Sequence, residues 1–317
     1  MRFIFFFIVF FVSESGFGQA FPQNSLYLTD LYNINPAYGG LERSLSVNFN
    51  YRDQWSGVTS HPKQLYLNAH MPLYLFNGGV GIELQSDVLG ALRKSSFQIS
   101  YNYITKSRFG LLSYGGSIGY VNTGLDGSQI ITPDGIYLDG QIDHQDTRLA
   151  QQNRIGSSLS YELGVFIGNE SFDLGLSVSN FLLSERKIDG LTVENQEVMQ
   201  AFFRLPLYRN DFIIYPSLLV KTDFQSIQTD ISCLVKNGNV FGGTSIRGYS
   251  RSSIDAIVLI LGFQMNSNYT ISYSYDIGLN SLRNVSEGSH EININYNLNK
   301  LIGVGLLPEI IYNPRNL

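Results

Sequence analysis

Apolar and polar residues alternate with a period of two along most of the chain, as expected for β-strands whose two faces meet different surroundings. The alternation is clearest from Tyr269 to Ile277, where Tyr and Ile occupy every second position and Thr, Ser and Asp lie between them. The same pattern recurs at 44–51, 95–104 and 290–298, and no helical period of comparable length is present. The sequence therefore predicts an all-β protein.

Fourteen segments follow this pattern. Most have the ~9–11 residues that a tilted transmembrane strand needs, and their even number suits a bacterial single-chain barrel. The predicted strands are 44–51, 64–71, 78–85, 95–104, 111–122, 157–167, 171–180, 197–207, 211–221, 227–236, 240–248, 255–265, 268–277 and 290–298.

The connections between these segments differ on the two sides of the predicted sheet. Those after even-numbered strands are short: 72–77, 105–110, 168–170, 208–210, 237–239 and 266–267. Those after odd-numbered strands are mostly longer: 52–63, 86–94, 123–156, 181–196 and 278–289, with 222–226 and 249–254 as compact exceptions. A soluble β-sandwich explains the alternation but not this asymmetry. We therefore predict a transmembrane antiparallel outer-membrane β-barrel of about 14 strands, with its long loops outside the cell.

Composition agrees with a membrane barrel and excludes other classes. Charged residues make up 15% of the 317-residue chain, against roughly 25% in an ordinary soluble protein. The net charge of −5 and the lack of a basic stripe exclude nucleic acid as a partner. No apolar run approaches the ~18–20 residues of a spanning helix. A single cysteine, Cys233, allows no internal disulfide.

The two ends of the chain lie outside the strand pattern. A basic start, an apolar run over 3–12 and small residues after it predict a signal peptide at 1–18. Residues 19–43 form either a periplasmic segment or a plug, 44–298 form the barrel, and 299–317 form a C-terminal tail. The run from Ala256 to Gly262 is apolar on both faces, which predicts that this wall packs inside against a terminal segment.

Three clusters on the long-loop side are candidates for partner binding. The first joins the only tryptophan to charged and amide side chains at a strand end, a combination typical of binding hot spots and also of an interfacial anchor with a local salt bridge. The others lie at loop positions on the same side. Together they predict an extracellular mouth made of Arg52, Asp53, Gln54, Trp55, Asp87, Gly90, Ser289, His290 and Glu291.

Catalytic, metal and cofactor chemistry find little support. Ser289, His290 and Glu291 have the residue types of a nucleophilic relay, but adjacent strand residues point to opposite faces. The aspartates of the 123–156 loop lack the alternating spacing of a calcium loop, so only incidental calcium binding stays open there: Asp134, Asp139, Asp143 and Asp146. We predict a non-enzymatic protein without a cofactor or metal.

Several short motifs, in this order, resemble the PorP/SprF family of outer-membrane proteins of the type IX secretion system and gliding machinery in Bacteroidota. They begin with N-P-A-Y-G-G at 35–40, R-D-Q-W at 52–55 and H-x-P at 70–72, and end with G-S-H-E at 288–291 and N-P-R at 313–315. The motif residues outside the mouth clusters are Asn35, Pro36, Ala37, Gly40, His70, Pro72, Gly79, Gly81, Tyr275 and Asp276.

The resemblance implies a 14-strand barrel in the outer membrane and one of two non-enzymatic roles. In the first role, the barrel anchors or helps export a large secreted surface protein through its C-terminal domain. In the second, it joins the secretion core by contacting periplasmic ring proteins or a peptidoglycan-binding lipoprotein. A FadL-like channel with a polar lumen is a further alternative. The sequence leaves open which cargo is bound and whether the lumen is open or plugged.

Overall fold

The computed structural model describes residues 23–137, 143–145, 153–180, 185–188, 191–194, 197–249 and 253–302. The predicted signal peptide at 1–18 and most of the C-terminal tail, from 303 onward, lie outside these residues. The described residues contain short 3₁₀-helices at Tyr27–Thr29, Leu31–Ile34, Pro36–Tyr38, Tyr74–Phe76, Gly127–Gln129 and Ser281–Asn284. Within this part of the chain, no helix has the length and apolar character needed to cross a membrane.

Seventeen β-strands make up the rest of the regular structure in the described residues. They are β1 (Ser46–Asp53), β2 (Lys63–Leu73), β3 (Gly78–Leu89), β4 (Leu92–Ser107), β5 (Gly110–Asp126), β6 (Asn153–Gly168), β7 (Asp173–Ser179), β8 (Glu185–Ile188), β9 (Leu191–Glu194), β10 (Val198–Arg204), β11 (Leu207–Arg209), β12 (Phe212–Thr222), β13 (Ile227–Asn237), β14 (Val240–Tyr249), β15 (Ser253–Gln264), β16 (Tyr269–Gly278) and β17 (Ser289–Asn297).

Fourteen of these strands close into one antiparallel barrel. Each pairs with its neighbour in the sheet, β10 pairs with β12, and β1 pairs with β17 along its whole length, from Ser46 opposite Asn297 to Asp53 opposite His290. Because the sheet is closed, the barrel strands leave no edge whose backbone would need partners in lipid. Strands β8 and β9 form a separate hairpin, and β11 adds three residues beside β12. The predicted 14-strand barrel is confirmed.

Most connections between strands lie where the alternation predicted them, and the exception is the connection at 86–94. Residues 86–94 are paired strand almost throughout, because β3 and β4 continue to Leu89 and Leu92 and leave only a two-residue turn. Gly90 has φ +57° in that turn, a left-handed conformation that glycine adopts without a steric penalty. The predicted long loop at 86–94 is therefore wrong. We call the side with the longer connections the loop end and the other side the turn end.

The two barrel faces match the predicted alternation. Inward-facing Asn48, Asn68 and Asn293 are each about 1% exposed. The outer face carries large apolar side chains that are about half exposed, as a lipid-facing band requires: Ile82, Leu84, Ile99, Ile118, Leu163, Leu174, Ile231, Leu259 and Leu261. Cys233 is also exposed on this outer face.

Residues 23–43, which we call the plug, lie inside the barrel. The plug starts beside the loop end, where Ser25 contacts Asp276, and reaches the turn end, where the Gly40 N–H donates to His70 Nδ1 (3.2 Å). Its apolar side chains form one core with inward residues of the wall, among them Val258 and Ile260 of the doubly apolar run in β15. The described part of segment 19–43 is therefore a lumen plug.

The N-P-A-Y-G-G motif shapes the half of the plug that lies toward the turn end. Asn35 Oδ1 accepts from the Ala37 N–H (2.9 Å), and Asn35 Nδ2 donates to the wall carbonyls of Val165 (3.0 Å) and Leu176 (3.2 Å). This amide thus caps its own turn and joins the plug to β6 and β7. The motif therefore forms a local turn that also attaches the plug to the barrel wall.

Wall glycines allow the plug backbone to approach the strands closely. A Cβ atom built on Gly115 of β5 would lie 2.5 Å from Ala37 Cα, closer than real Cβ contacts occur. On β3, a Cβ atom on Gly79 would overlap the Gly39 carbonyl, and one on Gly81 would overlap the Tyr32 hydroxyl. The motif residues Gly79 and Gly81 are therefore explained by plug docking.

We predict that Gly115→Ala destabilises the folded protein, by about 1–3 kcal/mol as is typical of overpacking, because the added methyl group overlaps Ala37. Gly116→Ala is the matched control, because a Cβ there meets only the flexible tip of Leu163 at 3.3 Å and the Glu162 carbonyl at 3.5 Å. The temperature at which the barrel loses its heat-modifiable gel migration measures the effect. Equal midpoints for the two variants would contradict close plug packing.

Candidate functional site

The β1–β2 and β16–β17 loops meet at the loop end, beside the seam where the barrel closes. The Trp55 N–H donates to Ser289 Oγ (3.1 Å). The Ser56 N–H donates to the Gly288 carbonyl (2.8 Å), and the Ser56 carbonyl accepts from the Glu287 N–H (2.7 Å). These bonds join the two loops into one surface, which we call the mouth.

The mouth encloses a cleft of about 680 Å³. Its upper walls carry aromatic, amide and charged side chains from both loops and from the end of β16, including Gln54, Trp55, Tyr275, Arg283 and Glu287. Its floor is formed by charged side chains of the barrel wall together with the start of the plug: Gln23, Arg52, Arg247 and Asp276. A large half-open cleft with aromatic walls and arginines has the residue types that dominate protein interfaces.

The structure brings together four of the nine residues predicted for partner binding. Arg52, Gln54, Trp55 and Ser289 all line the mouth cleft. Trp55 is half-buried and has φ +57°, which is rare for a bulky residue. The indole of the only tryptophan is thus held at the cleft by an unusual local backbone conformation.

The other five predicted residues lie elsewhere. Asp53 and His290 face outward, where Asp53 Oδ1 contacts His61 Nε2 (2.5 Å) and His290 Nδ1 bonds the Tyr273 hydroxyl (2.7 Å). Gly90 does not line the cleft; its N–H donates to the carbonyl of Ser60 in the β1–β2 loop (3.2 Å). The remaining two do not line the cleft: Asp87, whose Oδ2 accepts from Gln85, and Glu291, which lies inside the barrel.

The proposed local salt bridge between Arg52 and Asp53 is wrong. Adjacent residues of β1 point to opposite faces, so Arg52 enters the lumen while Asp53 lies on the outside. Arg52 NH2 instead contacts Asp276 Oδ2 (2.6 Å), and Arg52 NH1 contacts Glu291 Oε2 (2.8 Å). Arg52 is 2% exposed and Glu291 is 1% exposed, so neither offers a free charge to a partner.

Arg52 belongs to a buried charge cluster on the inner wall. Asp276 also contacts Arg247 NH1 (3.0 Å), and Arg247 Nε contacts Asp230 Oδ1 (2.6 Å). Lys221 is buried nearby, within electrostatic range of Asp230 and Glu291. We use the name charge cluster for Arg52, Lys221, Asp230, Arg247, Asp276 and Glu291. Its three positive and three negative side chains balance, which a buried group of charges requires.

The plug inserts its first residues into this cluster. The Ser25 hydroxyl contacts Asp276 Oδ1 (2.8 Å), and the backbone N–H groups of Ser25 and Leu26 donate to Glu291 (2.8 and 3.2 Å). Asn50 Nδ2 donates to the same carboxylate at 2.9 Å. The charged side chains of the wall therefore hold the start of the plug, beside the loop end.

The remaining motif residues support the plug or the mouth. The imidazole of His70 packs between two plug tyrosines, with ring centroids 4.8 Å from Tyr32 and 6.1 Å from Tyr38. Pro72 lies beside Gly40, whose φ is +70°. The motif residue Tyr275 donates its hydroxyl to the Glu287 carbonyl (2.8 Å) and so supports the mouth loop.

Sequence reasoning missed Ser25 and three members of the charge cluster, Lys221, Asp230 and Arg247. The signal for these three was present, because each is a charged residue at an inward position of an otherwise alternating strand. Charges at such positions need partners in the lumen. Ser25 lies in an irregular segment and has no comparable sequence signal.

A second, smaller cavity of about 150 Å³ lies between the plug and the wall. Polar side chains dominate its lining, including Gln98, Glu83, Glu162 and Lys94. The plug residue Gln23 lines this cavity as well as the mouth cleft. The start of the plug therefore separates the two spaces.

The catalytic and metal interpretations gain no geometric support from the described residues. Ser289 Oγ accepts from the Trp55 backbone while His290 faces outward, so the two side chains do not form a relay. No group of three or more histidine, cysteine or acidic side chains in the described part of the chain is placed to hold a metal ion. Asp139 and Asp146 lie outside the described residues, so incidental calcium binding in that loop stays untested.

A closed antiparallel barrel with an apolar outer band, polar inward positions and a plugged lumen defines an outer-membrane β-barrel protein. Residues 16–296 match the family described as type IX secretion system membrane protein PorP/SprF. The chain belongs to this family.

Solved structures with a similar overall arrangement are outer-membrane channels and porins. The TodX deltaS2S3 mutant monoaromatic hydrocarbon channel shares 11% identity with a TM-score of 0.45, covering 86% of this chain and 92% of its own. The outer membrane protein Omp33 of Acinetobacter baumannii shares 5% identity with a TM-score of 0.47, covering 81% and 99%. A search among curated proteins finds no match.

We predict that Arg52→Met lowers the free energy of unfolding by about 3–5 kcal/mol, as expected when one partner of a buried ion pair is removed. Met preserves most of the side-chain volume but removes the positive charge that pairs with the buried carboxylate of Glu291. Arg283→Met is the matched control, since Arg283 lines the same cleft and is exposed. Urea unfolding of the barrel in liposomes measures both variants. A similar loss in both would contradict a special role of the buried arginine.

We also predict that the free energy of unfolding depends on pH through the plug residue Asp30. Burial raises the pKa of Asp30 to about 7, although its carboxylate accepts from Asn68 Nδ2 (2.5 Å). A raised pKa stabilises the folded state at low pH, and this contribution is lost as the pH rises through about 7. Asp30→Asn should therefore gain stability relative to the wild type between pH 4 and 8, by up to roughly 4 kcal/mol.

The difference in unfolding free energy between Asp30→Asn and the wild type, followed across this pH range, isolates Asp30 because other titrating groups are common to both proteins. A constant difference at every pH would show that the pKa of Asp30 is the same in the folded and the unfolded protein.

Proposed function

We propose that this protein is an outer-membrane component of type IX secretion that binds a large secreted surface protein and anchors it or helps to export it. The partner's C-terminal secretion domain docks on the mouth. The family supports the secretion context, and the mouth cleft of about 680 Å³ with Trp55 at its wall is the observation that carries the docking site. A role in gliding follows if the partner is a surface adhesin.

The plug supports docking over transport. It fills the lumen with an apolar core that includes Leu28, Tyr32 and Tyr38, all at most 3% exposed. A FadL-like channel would need this core to move before a solute could pass. The mouth, in contrast, is accessible as it stands, and long loops of outer-membrane barrels face the outside of the cell.

A second candidate role has one observation in its favour. Apolar side chains stand at the tips of the turn-end connections, with Leu75 84%, Phe76 59% and Tyr208 63% exposed. An interfacial aromatic girdle accounts for such residues in many barrels. They would also suit contact with periplasmic ring proteins or a peptidoglycan-binding lipoprotein of the secretion core.

We predict that Trp55→Ala combined with Arg283→Ala reduces surface display and retention of the partner, because both side chains line the cleft and neither belongs to the buried charge cluster. Hot-spot residues of this kind typically contribute about 2 kcal/mol or more each. Mild-detergent affinity purification from native outer membranes, with mass spectrometry, measures what is retained. Tyr273→Ala is the control, since Tyr273 is 41% exposed on the outer face.

A large secreted protein recovered with the wild type and the control, but lost from the double variant, would support the proposal. Retention by all three proteins would place docking elsewhere. Recovery of periplasmic ring components in its place would favour the secretion-core role.

A further inference from the structure

The Ser25 hydroxyl uses its full hydrogen-bonding capacity inside the charge cluster. It donates to the Asp276 carboxylate, whose oxygens lie at 2.8 and 2.9 Å. It accepts from Arg52 NH1 at 3.0 Å and from Arg247 NH2 at 3.0 Å. A serine hydroxyl offers one donor and two acceptor positions, so each is occupied by a charged side chain of the wall.

The same three side chains are the floor of the mouth cleft. Arg52, Arg247 and Asp276 line the cleft together with Gln23, two residues before Ser25. The three come from β1, β14 and β16. Ser25 is 1% exposed and does not itself line the cleft. It therefore acts on the cleft only through the side chains that it bonds.

We propose that Ser25 is a positioning residue of the docking mouth, so that closing the lumen with the plug and shaping the cleft floor are one event. The inference rests on the proposed function, in which the mouth is the docking site. Two guanidinium groups of like charge share the Ser25 oxygen as an acceptor. Without it, each arginine loses a buried partner and has to find a replacement in the cleft or in water.

Removal of the hydroxyl should therefore change the cleft above it. The guanidinium groups of Arg52 and Arg247 would turn toward the cleft. The start of the plug would lose the side-chain bonds of Ser25 to the wall and keep the one between Gln23 and Gln228. Trp55 reports on this change because it lines the same cleft and is the only tryptophan in the chain. Its fluorescence therefore comes from the mouth alone.

The test compares Ser25→Ala with the wild type in purified full-length barrels. Ser25→Ala should shift the Trp55 emission, increase its quenching by acrylamide and raise the frequency of open events in planar bilayers. Thr29→Val is the matched control, because the Thr29 hydroxyl bonds only the Leu26 carbonyl within the plug (2.7 Å). Ser25→Thr keeps a hydroxyl and should return all three readouts toward wild-type values, which a general loss of packing would not allow. Heat-modifiable gel migration identifies the variants that are folded.

Unchanged Trp55 quenching in folded Ser25→Ala would overturn the inference, whether or not the conductance rises, because the cleft would then be independent of the plug. Equal effects of Ser25→Ala and Thr29→Val would also overturn it. These readouts involve no partner. A failure of the proposed function appears separately, as retention of the secreted protein by the Trp55 and Arg283 double variant.

Discussion

A plug can occupy this lumen only if the charges on the inner wall are neutralised there, because a filled interior offers little water to replace a missing partner. The charge cluster meets this constraint with three positive and three negative side chains around the start of the plug. Its members come from six strands, and the strand of Arg52, β1, meets the other five only where β1 pairs with β17 and closes the barrel. Barrel closure at the β1–β17 seam and plug docking therefore depend on the same interactions.

The plug is held differently at its two ends. At the turn end, backbone meets backbone across wall glycines such as Gly79 and Gly115, where dispersion contacts depend steeply on distance. At the loop end, Ser25 and Leu26 bond charged side chains. Both kinds of contact depend on accurate geometry, because dispersion falls off steeply with distance and a buried ion pair is favourable only when its partners are well placed.

The sequence predicts the barrel well because alternation is a local property that each strand carries in full. All fourteen strands could be located from it, and the error at 86–94 arose because polar residues at a strand end look like a loop. The same period of two would have excluded a bridge between Arg52 and Asp53. It could not reveal which distant charges Arg52 meets, and Ser25 lies in an irregular segment whose contacts exist only after the barrel closes.

The motifs acquire a common physical meaning once the plug is in place. Asn35 bonds the plug to the wall, His70 contacts the plug, and the glycines at 79 and 81 make room for it. Arg52, Asp276 and Glu291 hold its first residues. Most of the recognisable sequence pattern therefore serves a closed lumen. Since Arg52 and Asp276 also form the floor of the mouth cleft, the side chains that hold the plug in the lumen also shape the cleft above it.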